Sequence, residues 1–278
     1  MGHPNDFHQA SSSAAAAFDY PPPPPYTQSA SASTPYQPDC SNKNNTYMSQ
    51  STTTASTPTK FPPALNIYLQ WKFTRTFHLG PSGDQKLYAC APREHLTTRL
   101  RTITLYDGPD AETSPVLATI ETRSWTGREY FVTIPREGVT ERMGATSGWH
   151  MHRSAWFGVE VGGEEKRRRE EFEWRRSRGG EVKDLGGRLS YGWKLVRLAS
   201  EADHGAVEGE RGYASDGKEV VAVMAHNASL TLTKGCKIEF MGSGLTGVLG
   251  ERWEIMAVLT AVQLWQRDLQ ETNVASAA

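Results

Sequence analysis

The clearest pattern along the chain is a series of short segments in which apolar and polar residues alternate. In "LNIYLQWKF", Ile67, Leu69, Trp71 and Phe73 alternate with more polar residues, and this period of two predicts a strand with one buried face. Pairs such as Asp-Gly and Gly-Gly separate the segments and indicate turns. The other predicted strands are "KLYAC", "RTITLY", "VLATIET", "EYFVTI", "AWFGVEV", "EFEWRR", "YGWKLVRL", "KEVVAVMA" and "CKIEF". This succession predicts an antiparallel sandwich or barrel.

One strong helical segment follows the strands, "ERWEIMAVLTAVQLWQRDLQ", which has good helix formers and no Gly or Pro. Its apolar side chains point in every direction around the axis, so the helix must be surrounded by protein or by lipid. The apolar stretch from Trp253 to Trp265 is 13 residues long, whereas a bilayer needs about 20. We therefore predict a mainly β fold, a closed antiparallel barrel of about 10–12 strands around a central apolar helix at 251–268, without a transmembrane segment.

A G-x-G-x-x-G pattern formed by Gly242, Gly244 and Gly247 stands between the last strand and this helix. A dinucleotide fold would need a parallel strand after the helix, but only "ETNVASAA" follows, and Asp268 lies on the helix itself. We therefore predict no nucleotide cofactor. Glycines permit positive φ and close backbone approach, so we expect them to form the turn that directs the helix into the barrel.

The first 60 residues consist mainly of Ser, Thr, Ala, Pro and Gln, with few aliphatic residues. Such a segment cannot bury enough apolar area to offset the entropy of ordering, so we predict a disordered tail at 1–60, a barrel domain at 61–270 and a disordered C-terminus at 271–278. Within the tail, Pro23, Pro24, Pro25 and Tyr26 form a P-P-x-Y pattern that WW domains bind. The alternative is that this proline run is a stiff spacer.

The numbers of charged residues and cysteines argue against several classes of function. The chain has 30 Lys and Arg against 31 Asp and Glu, which argues against nucleic acid as a partner. Cys40, Cys90 and Cys236 are widely spaced, which indicates neither a disulfide framework nor a zinc site. No apolar core follows a basic N-terminal region, which predicts no secretory signal and a cytoplasmic protein. His150 and His152 could bind one metal, but a solvated loop is the favoured interpretation, and we predict no metal, cofactor or catalytic set.

A charged stretch at 164–197 contains 11 basic and 7 acidic residues, with Trp174 and Trp193 among them. If Phe172 and Trp174 face the core, Arg175 must face outward. One interpretation is a barrel exterior covered by salt bridges, which contribute little each, and this one is favoured. The other is a basic patch for phosphates or anionic lipid headgroups. The candidate contacts are Arg167, Arg168, Arg169, Arg175, Arg176, Arg178 and Lys194.

The amino-acid sequences of several segments resemble those of a known superfamily. "FEWRRSRGGEVKDLGG", "GWKLVRL", "SDGKEVVAV" and "GERWEIMAVLTAVQLWQRD" are similar to a fungal family of the tubby C-terminal-like type, which also includes LURP-one-related proteins and phospholipid scramblases. The resemblance covers about residues 65–270 and implies a non-enzymatic barrel that binds phosphoinositides through exposed Lys and Arg. Scattered cysteines and a helix with Glu254 and Gln263 do not fit scramblase activity. We therefore expect a peripheral membrane-binding protein, with a WW-binding adaptor as the alternative.

Overall fold

Twelve strands form one closed antiparallel barrel around a C-terminal helix. This computed structural model describes residues 59–69, 76–94, 101–123, 128–146, 153–163, 167–188, 190–200, 211–226 and 234–277. Each strand pairs with its neighbour in sequence, and β1 closes the barrel by pairing with β12. Closure leaves no sheet edge with unpaired backbone groups. The predicted fold class, a closed barrel of 10–12 antiparallel strands, is confirmed.

Most strands lie where the alternation predicts them. The sequence patterns do not predict two of the strands, the four-residue β2 and β7, which has a buried glutamate at position 141. The strands are β1 (Ala64–Leu69), β2 (Phe77–Gly80), β3 (Tyr88–Glu94), β4 (Arg101–Tyr106), β5 (Val116–Thr122), β6 (Glu129–Ile134), β7 (Val139–Ala145), β8 (Ser154–Val161), β9 (Arg168–Ser177), β10 (Gly192–Arg197), β11 (Val220–His226) and β12 (Lys234–Phe240). Single 3₁₀ turns lie at Pro135–Glu137 and Gly242–Leu245.

The barrel interior is filled by one apolar cluster to which the inward side chains of every strand contribute. Phe172 and Trp174 on β9 are fully buried in it, as the alternation predicts. Leu65 and Ile67 of β1 are also buried, but Leu69 is 38% exposed because it lies at the open end of the barrel. The predicted inward positions Trp71 and Phe73 lie outside the described residues.

Helix α2 (Glu251–Ala277) passes through this interior. Every residue from Trp253 to Trp265 is buried, including Thr260 and Gln263. Thr260 is satisfied because its hydroxyl donates to the Met256 carbonyl and accepts from Trp174 Nε1. The helix is longer than the predicted 251–268 and covers most of the C-terminus predicted to be disordered, since no Gly or Pro interrupts 271–278.

The glycine motif forms the turn before α2. Gly242 has φ of +49° and Gly247 has φ of +72°, which are conformations that residues with a Cβ rarely adopt. The expected role of the motif in directing the chain is therefore confirmed.

A short helix, α1 (Gly180–Gly186), was not predicted from the sequence. It covers the outer face of β10 and β11, where Val182 packs with Val196, Val220 and Val223 in a second apolar cluster. Buried Glu181 of α1 pairs with Lys194 of β10 at 2.6 Å between Oε2 and Nζ.

Candidate functional site

The seven predicted anion contacts do not form one surface, because β9 carries them to opposite ends of the barrel. Strand β9 rises by about 3.3 Å per residue, so Arg168 and Arg176 are about 26 Å apart along it. Residues 167–169 lie where α2 begins, and residues 175–178 lie at the end towards which α2 runs. The charged stretch is continuous in sequence but is split in space.

At the end where α2 begins, carboxylates pair with the predicted arginines. Arg169 makes a bidentate contact with Glu141, at 3.2 and 2.8 Å, and also donates to the Gly158 carbonyl. Arg168 contacts the buried carboxylate of Glu170, which Arg197 also binds at 2.6 Å. The hydrogen bond from Arg197 holds the pKa of Glu170 below its ordinary value. These arginines therefore form part of a salt-bridged wall.

At the other end the predicted residues are also paired, with one exception. Arg175 contacts Glu173 at 2.7 Å and Asp216 at 2.9 Å. Arg176 contacts buried Asp268 at 2.9 Å. Arg178 is exposed, and no ion pair joins it to another described residue.

The end towards which α2 runs carries a marked excess of positive charge, and we call it the basic end. Sixteen charged residues of the described ranges lie within two positions of a strand terminus at this end or on α2 from Trp265 onward. Eleven are basic: Arg93, Arg101, Arg123, Arg128, Arg153, Arg175, Arg176, Arg178, Lys194, Lys234 and Arg267. Five are acidic: Glu94, Glu121, Glu129, Asp268 and Glu271.

The opposite end of the barrel has no such excess by the same criterion. Seventeen charged residues of the described ranges lie within two positions of the strand termini there or among the first five residues of α2. Eight are basic: Lys86, Arg136, Arg167, Arg168, Arg169, Arg197, Lys218 and Arg252. Nine are acidic: Asp107, Glu137, Glu141, Glu160, Glu170, Glu219, Glu239, Glu251 and Glu254. Ion-pair partners just outside these windows reduce the difference: Glu173, Glu181, Asp216 and Arg142 bring the basic end to +4, and Lys60 and Lys237 bring the opposite end to +1, so among the described residues the basic end is the more positive by about three charges.

An open groove of about 400 Å³ lies at the basic end, between α2 and strands β1 to β4. Most of its walls are apolar, with Phe77 and Trp265 in edge-to-face contact at a centroid distance of 5.3 Å. Leu69 and Leu269 border the groove and are 38% and 37% exposed. The described residues that line it are Leu69, Phe77, Pro92, Arg93, Arg101, Thr102, Ile103, Trp265, Gln266, Leu269 and Gln270.

Two arginines, Arg93 and Arg101, are among the residues that line this groove. Arg93 near the end of β3 is paired in register with Thr102 of β4, whereas Arg101 at the start of β4 is opposite Glu94, so the two arginine side chains leave the strand pair on opposite faces. Both side chains are exposed. Arg101 donates a hydrogen bond to Gln270 Oε1 of α2, which directs it towards the helix side of the groove.

A buried polar network fixes α2 beside the groove. The Asp268 carboxylate accepts hydrogen bonds from Trp193 Nε1 at 3.0 Å and from Arg176 at 2.9 Å, and it contacts His226 Nε2 at 2.9 Å. Burial raises the pKa of Asp268, but the His226 hydrogen bond and the Arg176 charge outweigh burial, so the pKa lies below its ordinary value. The ring of Tyr191 stacks on His226 and lies under the Arg176 guanidinium. The network holds the groove wall formed by Trp265 and Leu269 in a fixed position.

Sequence patterns contain little indication of this site. Its residues come from five separate segments, and only the barrel topology brings Arg93 and Arg101 next to Trp265 and Leu269. The one available signal is the alternation of β1, which places Leu69 on the inward face at the position where the strand ends.

Several sequence predictions fall on other parts of the chain. The WW-binding candidates Pro23 to Tyr26 lie outside the described residues, as do His150 and His152. In the described ranges, no three His, Cys, Asp or Glu side chains meet in a way that could hold a metal ion. None of the described helices combines the length and apolar character needed to cross a bilayer.

Comparison with known proteins does not assign the chain to a family. A scan against protein-family models and a search of curated proteins both returned no match.

Proposed function

We propose that this protein is a non-enzymatic, peripheral binder of anionic membrane surfaces, and that it contacts the membrane with the basic end of its barrel. The observation that supports the proposal is the coincidence, at one end, of the excess positive charge and the open apolar groove. A basic residue near an anionic leaflet contributes about 1 kcal/mol of attraction. Exposed apolar residues beside such charges, here Leu69 and Leu269, add affinity by entering the interface.

The proposed membrane-binding surface differs from the basic patch on the barrel wall that the sequence predicts. Most of the arginines at 167–178 are paired with carboxylates, and exposed pairs of this kind attract anions weakly because their fields cancel. Arg93, Arg128 and Arg178 at the basic end are exposed, and no ion pair joins them to another described residue. We therefore assign the main attraction for anionic lipid to these three side chains and to the net positive charge of the basic end.

Membership of the tubby C-terminal-like superfamily is part of the proposal. A closed twelve-stranded antiparallel barrel around a buried C-terminal helix is the architecture that the sequence resemblance implies. Fold alone does not fix function, so the ligand must be tested directly. Phosphoinositides are the anionic lipids that the resemblance favours.

The test is flotation of the full chain with vesicles of phosphatidylcholine alone, or of phosphatidylcholine with phosphatidylserine or a phosphoinositide. We expect binding only to the anionic vesicles, with weaker binding as salt rises, because salt screens these interactions. The double variant Arg128→Glu/Arg178→Glu should bind at least about thirtyfold more weakly, since two attractions of about 1 kcal/mol each are lost.

A matched control reverses the same number of exposed charges at the opposite end. Lys86 and Arg136 are exposed there, and Lys86→Glu/Arg136→Glu should float as the unchanged protein does. Equal loss of binding in the two double variants would show that total charge alone determines binding. No binding to anionic vesicles at low salt would overturn the proposal.

A further inference from the structure

One tryptophan on the barrel wall is exposed, unlike the other tryptophans that the structure describes. Four of these five are at most 1% exposed: Trp174, Trp193, Trp253 and Trp265. Trp156, on the outer face of β8, is 44% exposed. An indole group combines a large apolar surface with a polar N–H, so it favours the boundary between water and an apolar phase. The ring of Trp156 is therefore a candidate contact to such a boundary.

A glycine on the neighbouring strand holds this ring against the sheet. Gly144 of β7 is opposite Trp156 in register. A Cβ at Gly144 would lie 2.5 Å from Cζ2 and 2.6 Å from Cε2 of the indole, so the ring rests on bare backbone that a side chain would push it away from. The exposed part of the ring therefore faces away from the barrel.

Trp156 lies close to the basic end. Strand β8 begins there at Ser154, two residues before Trp156, which corresponds to about 7 Å at about 3.3 Å per residue. The polar layer on each side of a bilayer is about 5–8 Å deep, since a core of about 30 Å lies within a total of about 40–45 Å. With the basic end among the headgroups, a small tilt of the barrel towards β8 therefore places Trp156 in this layer.

The charges around Trp156 fit an anionic interface. Four basic and two acidic described residues lie within three positions of the basic-end termini of β5 to β8: Arg123, Arg128, Arg142 and Arg153, with Glu121 and Glu129. On the other side, Glu173 of β9 is opposite Trp156 in register and is paired with Arg175 at 2.7 Å. Positive charge beside an exposed indole is the combination that interfacial helices use on anionic membranes.

The same surroundings are less suited to a protein partner. Protein interfaces bury their aromatic anchors in a centre that is depleted of charge. Here Glu129 and Glu173 lie in the same row across the strands as Trp156. Phe131, an aromatic residue on the same face, lies under the guanidinium of Arg123 at 4.6 Å from the ring centroid. These charged groups stay hydrated in a headgroup layer, whereas a protein interface would desolvate them at a cost.

We infer that Trp156 is an interfacial anchor that enters the headgroup layer of an anionic membrane, with the barrel tilted towards β8. This inference rests on the proposed function and specifies which side of the barrel meets the membrane. Salt screens the attraction of charged groups but not the contact of an indole ring, so the two contributions can be separated.

The experiment is flotation of the full chain with phosphatidylserine-containing vesicles at low and at moderate salt. Trp156→Ala should bind at least about tenfold more weakly than the unchanged protein, because a large apolar side chain no longer leaves water. The ratio of the two affinities should be the same at both salt concentrations. Leu245 is 45% exposed in the turn before α2, at the opposite end, so Leu245→Ala is the matched control and should bind as the unchanged protein does.

A second measurement uses the milder variant Trp156→Phe, which keeps an aromatic ring on Gly144. The fluorescence of Trp156 is obtained as the difference between the unchanged protein and this variant. Lipids brominated in the acyl chain should quench this difference signal on anionic vesicles. Denaturant unfolding shows whether each variant is folded.

The outcomes distinguish this inference from the proposed function. If Trp156→Ala floats as the unchanged protein does while Arg128→Glu/Arg178→Glu loses binding, membrane docking stands and the anchor is overturned, which leaves the ring for a protein partner. A difference signal that brominated lipids do not quench would also overturn the anchor, as would a loss in Trp156→Ala that vanishes when salt is raised. Absence of binding by the unchanged protein would overturn the proposed function and the anchor together.

Discussion

Two buried carboxylates on α2, one near each end of the barrel, have pKa values shifted in opposite directions. Glu254 accepts the backbone N–H groups of Lys60 and Phe61 at 2.7 and 3.1 Å. Burial nevertheless raises the pKa of Glu254 above its ordinary 4.5, since no basic side chain in the described ranges offsets it. Asp268 is held below its ordinary pKa by His226 and Arg176, as described above. The same helix therefore favours a protonated acid at one end and a carboxylate at the other.

We predict that Asp268→Asn lowers the free energy of unfolding by about 3–5 kcal/mol at pH 7, because it leaves the Arg176 charge without its buried partner. The pKa of Asp268 is lower in the folded protein than in the unfolded chain, so its carboxylate stabilises the fold at pH values above the unfolded-state pKa. This contribution is lost as pH falls through the folded-state pKa. The difference between the unchanged protein and Asp268→Asn should therefore persist from pH 7 to 5 and shrink below about pH 4.

Glu254→Gln is the control, because its effect on the free energy of unfolding should change with pH in the opposite direction. A raised folded pKa contributes stability that is present below the unfolded pKa and lost as pH rises through the folded pKa. The Gln carbonyl can still accept from Lys60 and Phe61, so we expect little loss at pH 7. The unchanged protein should gain stability relative to Glu254→Gln as pH falls towards 4. Denaturant unfolding at pH 7, 5 and 4 measures both variants, and parallel pH profiles would contradict the pKa assignments.

Among the elements, the turn that leads into α2 depends on close packing of backbone against side chain. A Cβ on Gly244 would lie 2.3 Å from the Val221 carbonyl oxygen and 2.8 Å from the Trp253 ring. Neither neighbour can move easily, because Val221 belongs to β11 and Trp253 is fully buried. The glycine at this position is therefore required by space.

We predict that Gly244→Ala destabilises the protein by about 1–3 kcal/mol, the usual cost of overpacking. A Cβ on Gly163 would have no atom within 4 Å, and the φ of this residue is ordinary, so Gly163→Ala should change stability by less than about 0.5 kcal/mol. Thermal or denaturant unfolding of the two variants tests this pair. Equal stability of both variants would mean that the turn before α2 relaxes to admit a methyl group.

Prediction from sequence succeeded for elements with a clear alternating or continuous apolar run, such as β11 and α2, and failed for elements that are very short or that have a charged residue at a buried position. All four residues of β2 are buried, since His78 on the outer side is covered by the segment at Pro109, to whose carbonyl its Nε2 lies at 2.9 Å. Strand β7 was missed because Glu141 occupies an inward position, where Arg169 neutralises it. Helix α1 is only seven residues long between glycine pairs, which resemble turns. Helix α2 was predictable because its apolar residues cover its whole circumference.

At the scale of the whole molecule, the charge difference between the two ends was not predictable from sequence. The basic end draws its charges from eight strands and α2, and they are interspersed along the chain with acidic residues that lie at the opposite end. An up-and-down barrel places alternate connections at opposite ends, so a charge pattern that appears mixed in sequence becomes separated in space. Local windows of sequence instead pointed to 164–197, which the barrel divides.

This separation predicts which end of the barrel faces a membrane. Leu269 at the basic end and Leu87 at the opposite end are 37% and 38% exposed, so Leu269→Cys and Leu87→Cys give matched labelling sites. Both are made in a Cys40→Ser background. Cys90 and Cys236 are buried, and burial raises the pKa of both thiols, so they should resist labelling.

On anionic vesicles that contain lipids brominated in the acyl chain, we expect quenching of an environment-sensitive fluorophore at position 269. The fluorophore at 87 should remain unquenched, because β3 begins next to this position and runs about 23 Å, at about 3.3 Å per residue, before it reaches the basic end. Quenching at 87 but not at 269 would reverse the orientation and reassign membrane contact to the end where α2 begins. Equal quenching at both sites would mean that the barrel lies on its side, with its salt-bridged wall against the lipid.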